Sequence, residues 1–162
     1  YLIKAMPGHI ELDIVGQPYD FRYYGLLKEL ARGKKVNFFH NLSDKEIVEK
    51  FATASIFVSP VVYRNELFNL VLVEGMASGC AVITSNVGGL PEIVVDGKTG
   101  FLVPPEDSDA LRKKIEYLID NPDVAFQMGE AGRKRAEEMF TWDLVARRCL
   151  KAYGCKKEDA IR

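Results

Sequence analysis

Two glutamates placed eight residues apart, Glu66 and Glu74, have the spacing in this 162-residue sequence that best indicates chemistry. The small and apolar residues from Phe68 to Ser78 predict a helix that begins near Phe68. The first backbone N–H groups of a helix have no acceptor inside it, and the helix dipole adds positive charge there. A phosphate group is stabilised at such a position. The amides concerned are those of Asn69, Leu70 and Val71.

A carboxylate close to a phosphate site repels the phosphate, so it must bind a different part of the ligand. Glu74 lies about one and a half turns into the predicted helix. In dinucleotide-binding folds an acidic residue binds the hydroxyls of a ribose. We therefore expect Glu74 to hold a ribose and Glu66, in the loop before the helix, to face the other end of the ligand.

Short apolar segments alternate with helical segments over the first hundred residues. The strands are predicted at Ile10 to Val15, Val36 to Phe39, Ile56 to Ser59, Ala81 to Thr84 and Thr99 to Val103. The helices before the Phe68 helix are predicted at Phe21 to Arg32 and from the capping box Ser43 to Glu46 onward. This alternation predicts parallel βαβ units and a doubly wound, Rossmann-like α/β sheet.

Ligands of doubly wound sheets bind beyond the carboxyl ends of the strands. In this sequence that edge is predicted to contain Gly16, the stretch after Phe39, the loop after Pro60 and the turn after Thr84. His40 lies there, and we expect a role in loop structure rather than catalysis. The pair Gly88-Gly89 suits a sharp turn and a site loop equally well.

The helices that surround the predicted sheet show clear apolar faces. Gly75, Ala77 and Gly79 are expected to bring the Phe68 helix close to the sheet, with Gly79 as a left-handed cap. The Phe21 helix is expected to bury Tyr23, Leu26, Leu27 and Leu30, and the capping-box helix Ile47, Val48 and Phe51. Further on, the apolar stripe consists of Leu111, Ile115, Leu118 and Ile119, and Asn121-Pro122 interrupts the helix. Thr141 should cap a last helix that buries Trp142, Val145, Ala146, Cys149, Leu150 and Tyr153, before a frayed tail at 156–162.

The composition limits the class of protein. A net charge of −1 gives no reason to expect a nucleic acid partner. The sequence has three cysteines, an odd number, and no Cys-x-x-Cys motif. Neither a disulfide framework nor a zinc site is therefore expected, and a reducing, cytoplasmic setting fits. No apolar run approaches the roughly 20 residues of a membrane span.

The ordered series of motifs resembles a known family. The pattern Glu66-x7-Glu74, with Phe68 two residues after the first glutamate, is similar to the donor-binding motif of the family 4-type retaining glycosyltransferases, which include sucrose synthases and many mannosyltransferases. The segments that follow also resemble that family: Gly88-Gly89-Leu90-Pro91-Glu92, Asp96 to Val103 and Phe140-Thr141-Trp142. The resemblance extends from about Ile10 to Tyr153 and implies the two-domain GT-B fold, with residues 1–155 as its nucleotide-sugar-binding half.

The resemblance also implies roles for individual residues. Glu66 would contact a hydroxyl of the donor sugar as the candidate catalytic residue, and Glu74 would bind the ribose hydroxyls. The amides of Phe68, Asn69 and Leu70 would meet the sugar or the diphosphate. The nucleobase would lie near His40, Asn41 and Leu42, and Gly16 would belong to the same donor-binding edge.

The whole enzyme would transfer a sugar from a nucleoside-diphosphate sugar to a hydroxyl acceptor with retention of configuration. The resemblance implies no metal and no cofactor. It also implies an amino-terminal domain of the same protein, with a basic pair for the diphosphate upstream of residue 1, and a first strand and helix of this domain before the sequence begins. A membrane-peripheral location through that other half stays open.

Two features of the sequence leave alternatives. The family usually has glycine where this sequence has Asn69, and an asparagine there either tunes the donor or weakens the site. A non-catalytic nucleotide-binding module of the same fold is therefore the second hypothesis. A signalling receiver domain is less favoured, because it requires an acidic cluster at its first strand that is not evident here.

Overall fold

The computed structural model describes residues 1–154, and Cys155 and the predicted tail at 156–162 lie outside the described residues. The strands are β1 (Leu12–Val15), β2 (Val36–Phe39), β3 (Ile56–Ser59), β4 (Ala81–Ser85) and β5 (Gly100–Val103). The helices are α1 (Leu2–Ala5), α2 (Phe21–Leu30), α3 (Asp44–Thr53), α4 (Leu70–Ala77), α5 (Leu90–Ile93), α6 (Ser108–Asp120), α7 (Pro122–Met139) and α8 (Trp142–Ala152). Among these helices, none is both long and apolar enough to cross a membrane.

All strand pairs are parallel, which confirms the α/β prediction. The strands are divided between a two-stranded sheet, β1-β2, and a three-stranded sheet in the order β3-β4-β5. In the larger sheet Thr84 pairs with Ser59 on one side and with Leu102 on the other. The carboxyl ends of β3, β4 and β5 therefore lie at one edge, where the loops after them begin.

The central strand β4 is buried along its whole length because helices cover both of its faces. Ala81 and Ile83 belong to one apolar core, which also contains buried side chains of α6 and the first half of α7. Val82 belongs to a second core, formed with α4, α5 and the end of α7. Helices on both faces of a parallel sheet are the doubly wound arrangement.

Several local signals act as predicted. The Ser43 side chain accepts the N–H of Glu46, and the Glu46 carboxylate accepts the N–H of Ser43. Gly79 has a φ of +82° after α4, a left-handed conformation that glycine adopts without steric cost. The interruption between α6 and α7 falls at Asn121, and Pro122 begins the second helix.

Gly75, Ala77 and Gly79 were expected to let α4 pack closely against the sheet. Only Gly75 does so. A Cβ atom at Gly75 would lie 2.7 Å from Cδ1 of Phe57 in β3. Ala77 is exposed, and a Cβ atom at Gly79 would meet nothing within 4 Å. The prediction was therefore wrong for those two residues, because Ala77 is exposed and Gly79 lies beyond the end of α4.

The apolar faces of α2 and α8 are exposed, which corrects the prediction that they form core. No side chain of α2 or α8 is buried. Trp142 is 76% exposed and Tyr153 80% exposed. Helical periodicity shows which side chains share a face, but burial also requires an element to cover that face. Other expected core residues that are exposed are Tyr23, Leu26, Leu30, Val48, Val145, Ala146 and Cys149.

Candidate functional site

The β3–α4 loop, residues 60–69, connects the carboxyl end of β3 to the start of α4. The helix begins at Leu70, two residues later than predicted, because Asn69 is its N-cap. The Asn69 side-chain oxygen accepts the N–H of Leu72 at 2.9 Å. The side-chain amide of Asn69 donates to the Ser59 hydroxyl, at 3.3 Å. The asparagine thus joins the helix start to the end of β3.

The capping by Asn69 reduces the number of backbone groups that can bind an anion. The amide of Leu72 is occupied by the asparagine side chain. The amides of Leu70 and Val71 lie in the first turn, where no intrahelical acceptor exists. The amides of Phe68 and Asn69 precede the helix, so the predicted anion site is shifted into α4 by one to two residues.

The two glutamates lie on either side of this helix start. Glu66 is partly buried in the loop, and Glu74 is exposed on α4. Glu74 follows Leu70 by four residues, a spacing that places both on one helix face, and Leu70 is exposed as well. Within residues 1–154, neither carboxylate forms a hydrogen bond or an ion pair with another side chain or with the backbone. Both are therefore available to a ligand.

The turn after β4 supports the backbone of Glu66. Gly89 donates its N–H to the carbonyl of Glu66 at 2.8 Å. A Cβ atom at Gly88 would overlap that same carbonyl oxygen, and a Cβ atom at Gly89 would overlap the carbonyl oxygen of Leu67. The two glycines are thus both a turn and a support of the site loop, since only residues without a side chain fit against it.

Two clefts open at the carboxyl ends of the strands. The first, of about 550 Å³, is formed by the β3–α4 loop itself. It contains Glu66 and Phe68 of the predicted site residues, together with Tyr63, Asn65 and Leu67. The second, of about 380 Å³, lies at the ends of β1 and β2 and includes Gly16 and His40. The other predicted site residues line neither cleft; these are Asn41, Leu42, Asn69, Leu70 and Glu74.

His40 holds the second cleft together. Its Nδ1 atom is 2.6 Å from the carbonyl oxygen of Gly16, and its Nε2 atom is 2.9 Å from the hydroxyl of Tyr24. A carbonyl oxygen only accepts, so Nδ1 donates to Gly16, and Nε2 pairs with the Tyr24 hydroxyl. Sequence reasoning missed Tyr24, which lies on α2 with no motif to mark it.

Asn41, next to His40, has a left-handed backbone with φ of +56°. The side-chain amide of Gln17 donates to its side-chain oxygen at 2.6 Å. Asparagine tolerates this conformation better than most residues. Asn41 and Gln17 therefore link the loops that follow β2 and β1.

The comparison with known proteins assigns the chain to a family. The model of the family described as glycosyl transferases group 1 matches residues 1–135. This chain belongs to that family. It is 38% identical over 129 residues to MMP alpha-(1->4)-mannosyltransferase from Mycolicibacterium hassiacum, covering 79% of this chain and 31% of the relative. The chain thus spans about a third of the length of this curated relative.

Two solved structures have the same fold. Sucrose-phosphate synthase from Thermosynechococcus elongatus superposes with a TM-score of 0.79 at 34% identity, over 88% of this chain and 37% of that protein. Anabaena HepE, solved in complex with UDP-glucose, superposes with a TM-score of 0.86 over 94% of this chain and 44% of that one. At 22% identity, HepE supports the fold alone.

Proposed function

We propose that residues 1–155 form the donor-binding half of a glycosyltransferase. The complete enzyme transfers a sugar from a nucleoside-diphosphate sugar to a hydroxyl acceptor, with retention of configuration. The observation that carries this proposal is the position of two carboxylates, Glu66 and Glu74, on either side of the first amides of α4, with no partner for either carboxylate within residues 1–154. Membership of a family whose relatives are named as sugar transferases supports it.

Each group in this arrangement suits one part of the donor. The amides of Leu70 and Val71 stabilise the diphosphate by hydrogen bonding and by the helix dipole. Glu74 accepts hydrogen bonds from the ribose hydroxyls, four residues along the same helix face. Glu66 accepts a hydrogen bond from the donor sugar and orients it for transfer. As the nucleoside diphosphate leaves, its growing negative charge is stabilised by fixed amides, which need no rearrangement.

The other half of the site lies in the rest of the protein under this proposal. The chain covers 31% of the mannosyltransferase relative, which leaves room for an amino-terminal domain that binds the acceptor. Asn41 and Leu42 receive the nucleobase beside the cleft that contains Gly16 and His40.

Calorimetric titration of the intact protein with UDP, GDP and ADP tests the ribose assignment. Glu74→Gln removes the negative charge but keeps the size of the side chain, and Kd for the preferred nucleotide should rise about tenfold, which is about 1.4 kcal/mol. Glu130→Gln is the matched control, because Glu130 is an exposed glutamate of α7. An equal Kd for wild type and Glu74→Gln would remove Glu74 from the site.

The same protein preparation distinguishes a glycosyltransferase from the second hypothesis, a non-catalytic nucleotide-binding module. A glycosyltransferase should release the nucleoside diphosphate from its nucleotide sugar in the presence of an acceptor, and Glu66→Gln should slow that release. A non-catalytic nucleotide-binding module would bind the nucleotide with the same Kd whether or not the sugar is attached, and would release none.

A further inference from the structure

Phe140 is far from the glutamates in sequence, yet its ring contacts the loop that carries Glu66. The ring centroids of Phe140 and Phe68 are 5.8 Å apart and their planes meet at 67°, an edge-to-face arrangement. Phe140 is partly buried against the second core, whereas Phe68 is 49% exposed. The fixed ring of the pair is thus Phe140, and the ring it restrains is Phe68.

We propose that Phe140 is a positioning residue for the β3–α4 loop and, through Phe68, for Glu66 and the donor. This inference rests on the proposed function for its consequence in catalysis. Its structural part, that Phe140 holds the loop, concerns the free protein alone.

Arg135 makes a second contact with the ring of Phe140. Its guanidinium lies 5.6 Å from the centroid of the Phe140 ring, a cation–π contact. The same guanidinium donates to the carbonyl oxygen of Ile93 at 2.8 Å and to that of Glu92 at 2.7 Å. These carbonyls end α5, the short helix that begins directly after Gly88-Gly89. Arg135 therefore joins Phe140 to the element that supports Glu66.

These contacts form a closed circuit around the site loop. Gly89 donates its N–H to the Glu66 carbonyl, and Phe68, two residues after Glu66, contacts Phe140. Arg135 contacts Phe140 and also binds the carbonyl oxygens of α5, the helix that follows Gly89. Outside this circuit, the loop is held at its end by the Asn69–Ser59 hydrogen bond. Leu67 is 84% exposed. The aromatic contact is therefore the main restraint from a side chain on the segment between Glu66 and Asn69.

Amide hydrogen exchange in the intact protein without ligand tests the structural part. Phe140→Leu keeps an apolar side chain in the core but removes the ring edge, so exchange of residues 63–69 should accelerate about fivefold while that of α6 stays unchanged. Phe126→Leu is the control, because Phe126 is a 70% exposed phenylalanine of α7, the helix that ends directly before Phe140. Unchanged exchange in residues 63–69, or an equal acceleration in α6, would overturn the inference.

Phe68→Leu provides a second approach that leaves the core intact. It should accelerate exchange of residues 63–69 as Phe140→Leu does, and the double variant should add little, since both remove one contact. Additive effects of the two substitutions would show that they act independently and would also overturn the inference.

Kinetics test the consequence for the donor, with UDP-glucose, GDP-mannose and ADP-glucose as probes. Phe140→Leu should raise KM for the accepted donor about fivefold with a smaller change in kcat, and Phe140→Tyr, which keeps the ring, should restore KM. An unchanged KM in Phe140→Leu would overturn the positioning role. If the wild type used none of the three donors, the proposed function would fail, and the exchange experiment would still decide whether Phe140 holds the loop.

Discussion

At the scale of single residues, Asn69 decides how many amides the helix start offers to a ligand. A glycine there would leave the amide of Leu72 free, whereas the asparagine accepts its hydrogen bond. The asparagine is therefore part of the scaffold of the site, with both polar ends of its side chain engaged by α4 and Ser59. The departure from the family pattern changes which amides are free at the start of α4 without adding a free side chain there.

Charge at position 69 should affect binding more than folding. Aspartate caps a helix as well as asparagine does, so Asn69→Asp should preserve the free energy of unfolding to within about 0.5 kcal/mol. Its negative charge next to the diphosphate should raise Kd for the nucleoside diphosphate on the order of tenfold. Calorimetry and urea unfolding measure the two quantities.

Asn69→Ser is the control for this substitution, because serine caps without a charge. It should leave Kd within about twofold of wild type. Equal affinity of Asn69→Asp and Asn69→Ser would place the diphosphate away from the start of α4.

At the scale of elements, the sequence predicts the bounds of those strands and helices that neighbouring residues determine. β2 and β3 match their predicted bounds, because each is a short apolar segment followed by polar or proline residues. The start of α4 was predicted two residues early, because a side-chain cap overrides the preference of the residues before it. The contact of Phe68 with Phe140 could not be predicted, since the two residues lie in motifs that are far apart in sequence. Nothing in either motif indicates that it packs against the other.

The glycines inside helices also differ in ways that only the structure reveals. Gly25 in α2 has nothing within 4 Å of an added Cβ atom, whereas an added Cβ atom at Gly129 in α7 would overlap the carbonyl oxygen of Gly79. Gly25→Ala should therefore stabilise the protein by about 0.5–1 kcal/mol through helix propensity. Gly129→Ala should destabilise it by about 1–3 kcal/mol, because α7 must move away from the end of α4.

Urea unfolding of the two alanine variants measures both effects, and each serves as the control for the other. Stabilisation of the same size in both would mean that α7 and the end of α4 are not in close contact. That result would contradict the packing that places Arg135 and Phe140 against the site.

At the scale of the whole molecule, two cores cover the faces of the three-stranded parallel sheet. The candidate site residues lie in four loops that follow strands of both sheets, and the exposed apolar faces of α2 and α8 lie outside those cores. The doubly wound fold could be predicted from the sequence, and the assignment of Glu66 and Glu74 to a donor site stays a prediction. The presence of two separate clefts at the ends of the strands could not be predicted, since it depends on how the loops pack after the strands end.

The most direct test of a donor site at this edge is an amide NMR titration of the intact protein, labelled with ¹⁵N in leucine, valine and glutamate, with UDP, GDP and ADP. The account predicts that one of the three nucleotides shifts the amides of Leu70 and Val71 most strongly, and those of Glu66 and Glu74 with the same saturation curve. Leu118, buried in α6 away from the edge, serves as the internal reference and should not shift. Shifts confined to residues away from the start of α4, or none with any of the three nucleotides, would contradict it.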